Sequence, residues 1–513
     1  SLGADIRHTY DREGNLQTMQ AGKSWQASWV RDNTGLEVQR TFSGGVTVST
    51  ERDGFGREVR KSVRVGGIER GAYRYEWGIT NRLLSKENEL TGTVMRYDYD
   101  RFDFLIRQET IQGSETDVIY RMPDFVGNLF ETPDKKDRKY GAGGKLLEDP
   151  DCFYHYDNEG NLVFREFKEL RGSDIRYDRK RMKKERGISF LATGTGWNYK
   201  WNSNGTLKKV IRPDGRPVEF QYDALGRRTS KQYFGKKTRW IWNGNVPLHE
   251  WSYKVTDEQS NEEENIQKEP TEDIITWVFE VGTLIPTAKM LDSKQHSIVS
   301  DHLGTPIQMY DEQGNKIWDC ILNIYGKVTS FKGSSLGDCP FRFQGQYEDE
   351  ETELYYNRFR YYSPNLGNYV SQDPIEFAGN NPTFYGYVYD TNSGLDLFGL
   401  NIVTVYHYTS KKSYNKISSQ SPYVFKASIP KKGNPKGVYV TTKSPEILAK
   451  NNNGYKKLGL TGNKSSHFFE IQIDDSKLKS LNGDRGQFIK YIDGDVEIDR
   501  SSVTRHGETP KIH

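Results

Sequence analysis

The sequence predicts a mostly β chain: a long series of short antiparallel strands followed by a small α+β module at the C-terminal end. Three observations point there. The 513 residues include 32 Tyr, 24 Phe, 10 Trp and 49 Gly, a mixture that suits short strands joined by tight turns. A unit built from an aromatic residue, Asp or Asn, and a glycine turn recurs along most of the length. Charge changes sign near residue 400. Residues 401–513 carry 19 Lys and Arg against 10 Asp and Glu, or +9, and with the whole chain at +3 the remainder is −6.

Length and polarity bound the rest. A chain this long divides into at least two cores. With 28% charged residues, a mean hydropathy of −0.83 and no run of the ~20 apolar residues that cross a bilayer, a membrane-spanning helix is not expected. Ser1 to Arg7 carry neither a signal-peptide pattern nor an initiator methionine, so the chain reads as a piece of something longer. Cys152, Cys320 and Cys339 have no metal-ligand spacing and are too few for a disulfide framework.

The repeat appears as Tyr10-Asp11-Arg12-Glu13-Gly14-Asn15, Tyr156-Asp157-Asn158-Glu159-Gly160-Asn161, Trp201-Asn202-Ser203-Asn204-Gly205, Tyr222-Asp223-Ala224-Leu225-Gly226 and Tyr310-Asp311-Glu312-Gln313-Gly314-Asn315, with weaker copies at Asp53 and near Tyr177-Asp178. The glycine supplies the positive φ a tight hairpin needs, and flanking strands alternate so that one face can stack on its neighbours. A single hairpin cannot bury that face, so the units must pack in series. This resembles the YD/RHS repeat family, which implies a coiled β-sheet shell, or cocoon, over residues 1–340. Residues 256–273, acidic and poor in apolar side chains, read as a mobile surface loop. Asp134 to Tyr140 reads as a shorter one.

Residues 341–400 hold the densest motif: Phe343-Gln344-Gly345-Gln346-Tyr347, Leu354-Tyr355-Tyr356-Asn357-Arg358-Phe359-Arg360-Tyr361-Tyr362-Ser363-Pro364, Gly367-Asn368-Tyr369, Ser371-Gln372-Asp373-Pro374, Tyr385-Gly386-Tyr387 and Leu395-Asp396-Leu397-Phe398-Gly399-Leu400. The segment resembles the RHS-associated core domain. That resemblance implies an aspartyl autoprotease with Asp373 and Asp396 as its dyad, cutting between Leu400 and Asn401. One carboxylate would activate water and the other, protonated, would polarise the scissile carbonyl. Leu397 departs from the family's usual proline, and both aspartates could equally serve as turn caps.

Beyond Leu400 the repeat stops and the module 401–513 begins. Strands are expected over 403–409, 437–442 and 467–473, with two more within 487–498, and helix starts at Ser413 and Ser444. His407-Tyr408-Thr409, Gly437-Val438-Tyr439-Val440-Thr441, Ser444-Pro445 and Leu458-Gly459-Leu460-Thr461-Gly462 resemble the ADP-ribosyltransferases of the His-Tyr-acid type, particularly toxins with the HYD1 signature. The resemblance implies NAD as co-substrate and no metal. His407, supported by Tyr408 and Thr409, would bind the adenosine ribose, and Tyr439 would stack on nicotinamide. Asp495 would stabilise the oxocarbenium-like centre, with Glu497 two residues on as substitute or partner. His467, His506 and Tyr455 read as structural.

The resemblance as a whole implies an Rhs-type polymorphic toxin, made in a bacterial cytoplasm and acting in a target cell. A cognate immunity protein would block the module, a type VI secretion component or chaperone would engage the part upstream, and a target-cell protein or RNA would accept ADP-ribose. The basic module also suits a ribonuclease. An NAD glycohydrolase, or a YD-repeat adhesion protein without enzymatic activity, would fit these residues too.

Overall fold

The computed structural model describes the chain except residues 1, 13–14, 34, 80, 169–194, 256–269, 293, 375–382, 401, 421, 429–434, 442, 444, 446–447, 449–461, 475–477, 481–488, 499–501 and 510–513. The repeat copy at Tyr177, most of the acidic stretch 256–273, Asn401, the Ser444 helix start, Tyr455 and Leu458–Thr461 therefore lie outside the described residues.

Two antiparallel meanders form the bulk of the fold. One has eleven strands, from Ile6–Tyr10 to Glu115–Tyr120; the other has sixteen, from Lys139–Tyr140 to Val328–Lys332. Every strand in them pairs with its neighbours in sequence, as serial hairpins require. The charged stretch at Asp134 ends within the first strand of the second meander, so Lys139 and Tyr140 are paired rather than looped.

The repeat residues have a shared geometry. Asp223 accepts hydrogen bonds from the main-chain N–H of Leu225 and Arg227 (2.9 and 2.8 Å), and Asp311 does the same for Gln313 and Asn315 (3.0 and 2.7 Å). Gly226 completes its turn at φ +73°, a conformation only glycine adopts without strain. The aromatic that opens each unit sits at a register shift: Tyr10, Tyr156, Trp201, Tyr222 and Tyr310 all mark one. In three cases an aromatic tip donates to a main-chain carbonyl at the start of an earlier strand. Tyr222 Oη reaches Leu207 (2.7 Å), Trp201 Nε1 reaches Leu162 (2.8 Å) and Trp242 Nε1 reaches Arg228 (2.7 Å). At these positions an aromatic with a donor at its tip staples one strand to another, a link Phe could not make.

The eleven-stranded sheet packs its buried face, including Trp25, Val46 and Leu105, against Val278, Ala288, Val299 and Ile307 of the second sheet. The first part of that second sheet packs on residues 347–370, which form a four-stranded sheet of their own from Tyr347–Asp349 to Asn368–Tyr369. This closing segment is tied down by buried polar links. Asp349 pairs with Arg228 and, at 3.0 Å, with Lys231, Tyr361 Oη meets Tyr222 Oη at 2.9 Å, and Tyr385 Oη donates to the Gly160 carbonyl at 2.6 Å.

The C-terminal module has a six-stranded sheet in the order Lys479–Ser480, Ile489–Asp493, Gly437–Thr441, Ile402–Thr409, His467–Asp474, Val503–Glu508. A two-stranded ribbon joins Tyr423–Phe425 to Val496–Ile498. The helix Lys411–Ser418 is capped by Ser410, whose hydroxyl accepts from the Ser413 N–H. Val405, Phe425, Val438, Val440, Phe469 and Ile471 share its core.

Candidate functional sites

The segment 395–400 reuses the repeat turn. Asp396-Leu397-Phe398-Gly399-Leu400 matches the Asp-x-x-Gly-x of Asp223–Arg227, with Gly399 at φ +68° and Asp396 Oδ1 accepting from the Leu400 N–H at 2.9 Å. Asp396 thus caps a turn, the ordinary role of an aspartate ahead of a turn glycine. Its surroundings differ from any repeat turn. Both Asp396 and Asp373 are buried, at 1% and 3% exposure, and one Arg360 nitrogen pairs with each, at 2.9 Å to Asp373 and 3.3 Å to Asp396. Arg360 Nε also donates to the Gly399 carbonyl, so a single guanidinium fixes both carboxylates and the main chain one residue before Leu400. Tyr369 Oη donates to Asp396 Oδ2 at 2.6 Å.

Burial pushes the Asp396 carboxyl up. Arg360, the Tyr369 hydroxyl and the Leu400 N–H pull it back, Asp373 adds to the rise, and the balance leaves it at about 6. Leu397, where the family usually has proline, is buried with Leu284 and Leu395, so the turn forms without the proline ring.

In the module, His407 Nδ1 lies 2.9 Å from the Tyr439 carbonyl. A carbonyl can only accept, so Nδ1 carries the proton and Nε2 of the neutral ring is an acceptor. Burial holds this imidazole below the usual value, the Tyr439 carbonyl acting the other way. The ring packs edge-on against Phe425 at 5.1 Å. Tyr439 alternates with Val438 and Val440, both in the core that includes Phe425, so its ring projects from the opposite face of the sheet. There it lies 6.1 Å from Tyr491 at 32°. Contact between His407 and Tyr439 therefore runs through the main chain.

Asp495 precedes the ribbon strand Val496–Ile498 and accepts from Lys426 Nζ and the Ala427 N–H, both at 2.8 Å. The Lys426 hydrogen bond first, then Ala427, hold its carboxyl below the ordinary value. Glu497 is exposed on the same strand. The structure thus brings His407 and Tyr439 together through one hydrogen bond, whereas Asp495 is engaged by the separate pair Lys426 and Ala427. Tyr408 Oη donates to the Lys443 carbonyl at 2.9 Å, and Thr409 is buried.

Comparison with known proteins places this architecture. The family model of the Teneurin YD-shell matches residues 4–393. The chain belongs to that family. A second model, the HYD1 signature containing ADP-ribosyltransferase, matches residues 405–501. The YD-shell and the module thus meet within the junction segment described above, the combination of an Rhs polymorphic toxin. The chain is 27% identical to the probable deoxyribonuclease RhsB of Dickeya dadantii over 412 residues, 76% of this chain and 25% of that protein. It is 25% identical to toxin protein Tse5 of Pseudomonas aeruginosa over 437 residues, 74% and 33% of the respective chains. It spans about a quarter to a third of the length of these relatives. A solved structure, the Photorhabdus luminescens Tc holotoxin pore, matches at 17% identity with a TM-score of 0.37, covering 77% of this chain and 23% of that one.

Several residues around the YD-shell junction escaped sequence reasoning. Arg360, Tyr369 and Asn357 sit in the closing motif, yet nothing in their spacing assigns them to Asp396. In the module, Tyr491 joins Tyr439, and His467 and His506 flank Tyr414, with ring centroids 4.6 and 5.6 Å from it.

Proposed function

We propose that this protein is a toxin that frees its C-terminal module by hydrolysing the Leu400–Asn401 bond, and that the module transfers ADP-ribose from NAD to a target-cell macromolecule. The match of residues 405–501 to the HYD1 family carries the transferase reading. The two buried carboxylates bridged by Arg360 beside Leu400 support the cleavage reading.

In the cleavage, Asp396 removes a proton from a water that adds to the Leu400 carbonyl, while Asp373 supplies one to the carbonyl oxygen. Collapse of the adduct returns the proton on that oxygen to Asp373 and breaks the C–N bond, and the proton taken by Asp396 passes to the departing Asn401 amine. Arg360 holds both carboxylates in place.

In the module, NAD supplies the nicotinamide–ribose bond that breaks. His407 fits it through the acceptor Nε2, which can take a hydrogen bond from a ribose hydroxyl. Tyr439, with Tyr491 beside it, projects from the face of the sheet opposite His407, so it shares no cleft with His407 and is not assigned the nicotinamide-stacking role expected of it. Asp495, exchanging Lys426 for substrate, would face the positive charge that develops on the ribose, with Glu497 alongside. The acceptor is a protein or an RNA. An immunity protein that covers the module and a secretion component that engages the upstream part complete the proposal.

The test incubates the full chain, with and without Asp495→Ala, with labelled NAD and bacterial lysate. Label in a discrete band that the substitution abolishes is the expected result. Nicotinamide release without labelled product would replace the transferase by an NAD glycohydrolase. Intact NAD with degraded lysate RNA would replace it by a ribonuclease.

A further inference from the structure

The junction contains one more group with a defined job. Tyr369 is buried at 2% exposure, and its ring is covered by the Arg360 guanidinium, 3.7 Å from the ring centroid. Its hydroxyl has two neighbours of fixed polarity. Asn357 Nδ2 donates to Tyr369 Oη at 2.8 Å, and the same amide nitrogen donates to the Asp396 main-chain carbonyl, also at 2.8 Å. That carbonyl can only accept, so the amide is oriented with its nitrogen toward the phenol. Tyr369 Oη therefore receives a hydrogen from Asn357 and turns its own hydrogen to Asp396 Oδ2, 2.6 Å away.

Asp396 then accepts at both oxygens, from the Leu400 N–H at Oδ1 and from Tyr369 and Arg360 at Oδ2. Each of these donors favours a bare carboxylate over the acid. Asp373 pairs with the same Arg360 nitrogen, at 2.9 Å. The other charged or titratable groups that face Asp396 are Asp373, Arg360 and Tyr387.

We infer that Tyr369, oriented by Asn357, is a positioning residue that keeps Asp396 ionised and able to activate water. This rests on the self-cleavage proposed above. The phenol touches no reacting atom. It acts by holding the carboxylate against the burial that would otherwise protonate it.

The experiment compares the wild-type chain, Tyr369→Phe and Asp396→Asn. Each is pulse-labelled in cell-free synthesis, diluted into buffers from pH 5 to 9 and followed by gel for loss of the full-length band. Phenylalanine keeps the ring beneath Arg360 and removes only the donor. Losing a hydrogen bond to the charged form raises the carboxyl, so the acid limb of the profile should move up by about one pH unit. The rate at pH 6 should then fall roughly fivefold or more, while that at pH 8 stays within about twofold of wild type. A Tyr369→Phe profile that superimposes on wild type, or one lowered equally at every pH, overturns the inference, the latter because a merely structural loss has no pH signature. Asp396→Asn separates the two levels: if it still cleaves, self-cleavage by this pair is wrong; if it does not, and Tyr369→Phe is unshifted, only the role of Tyr369 is wrong.

Discussion

Gly399→Ala tests whether the junction turn is built for cleavage or merely for connection. At φ +68° an alanine carries about 1–2 kcal/mol of left-handed strain. A Cβ there would also stand 2.4 Å from the Asn357 carbonyl oxygen and 3.1 Å from the Arg360 main-chain nitrogen. Both are backbone atoms that no rotamer change can clear. The main chain must shift, and with it the Gly399 carbonyl held by Arg360 and the Leu400 N–H held by Asp396. A misplacement of about 1 Å at a reacting group lowers rates by about 10²-fold. Gly226→Ala is the matched control, because it occupies the same position of the same turn at φ +73° and its Cβ would only touch Phe359 at 3.5 Å. It bears the strain without the clash. Following pulse-labelled full-length chain by gel, Gly399→Ala should cleave about 100-fold more slowly than wild type and Gly226→Ala at an ordinary rate. Equal cleavage of the two variants would refute the reasoning.

Three further outcomes follow from the same contacts. Because Asp396 titrates at about 6 and must be ionised to take the proton, wild-type cleavage should fall about tenfold per unit below that pH; a rate that does not drop between pH 7 and 5 would contradict this. Arg228→Met leaves Asp349, 0% exposed, with Lys231 as its remaining buried cation. Loss of one partner of a buried pair costs about 3–5 kcal/mol, to be seen as a lowered thermal midpoint of the shell and absent if the pair contributes nothing. His407→Ala should cut nicotinamide release from NAD by about 10²-fold while shell melting stays unchanged, and undiminished release would remove His407 from the site.

The repeat was legible because each unit is a local structure. Asp, the turn glycine and the register shift all lie within about six residues, and their hydrogen bonds are set by spacing alone. The module's strands were legible for the same reason: the local pattern marks 403–409, 437–442 and 467–473 without reference to partners, within a residue of the strands found. Pairing was not. Nothing in the sequence says that Tyr439 projects away from the face that carries His407, because that parity depends on which strand lies beside which and in what register. The stapling role of Tyr222 and Trp201 was hidden likewise, since their acceptors Leu207 and Leu162 sit on earlier strands, 15 and 39 residues back. Arg360 and Tyr369 lie 36 and 27 residues from Asp396, and only the packing of the closing segment brings them together.

Asp223 and Asp396 place the same turn in two different environments. Local geometry is common to both: an Asp oxygen accepts the N–H four residues on, and a glycine with positive φ closes the turn. At Asp223 the Arg227 guanidinium pairs with the carboxylate at the half-buried surface, and the group stays below the ordinary aspartate value despite some burial. At Asp396 the turn has been carried into the interior, where desolvation outweighs a cation and two donors. The same hydrogen bond thus serves a structural acid at one place and a basic carboxylate near neutrality at the other. The difference is supplied by the closing segment, which brings a second carboxylate and encloses both. Under the proposed self-cleavage, the carboxylate would become effective only once residues 347–373 had packed around it, so hydrolysis at Leu400 would wait for a completed shell.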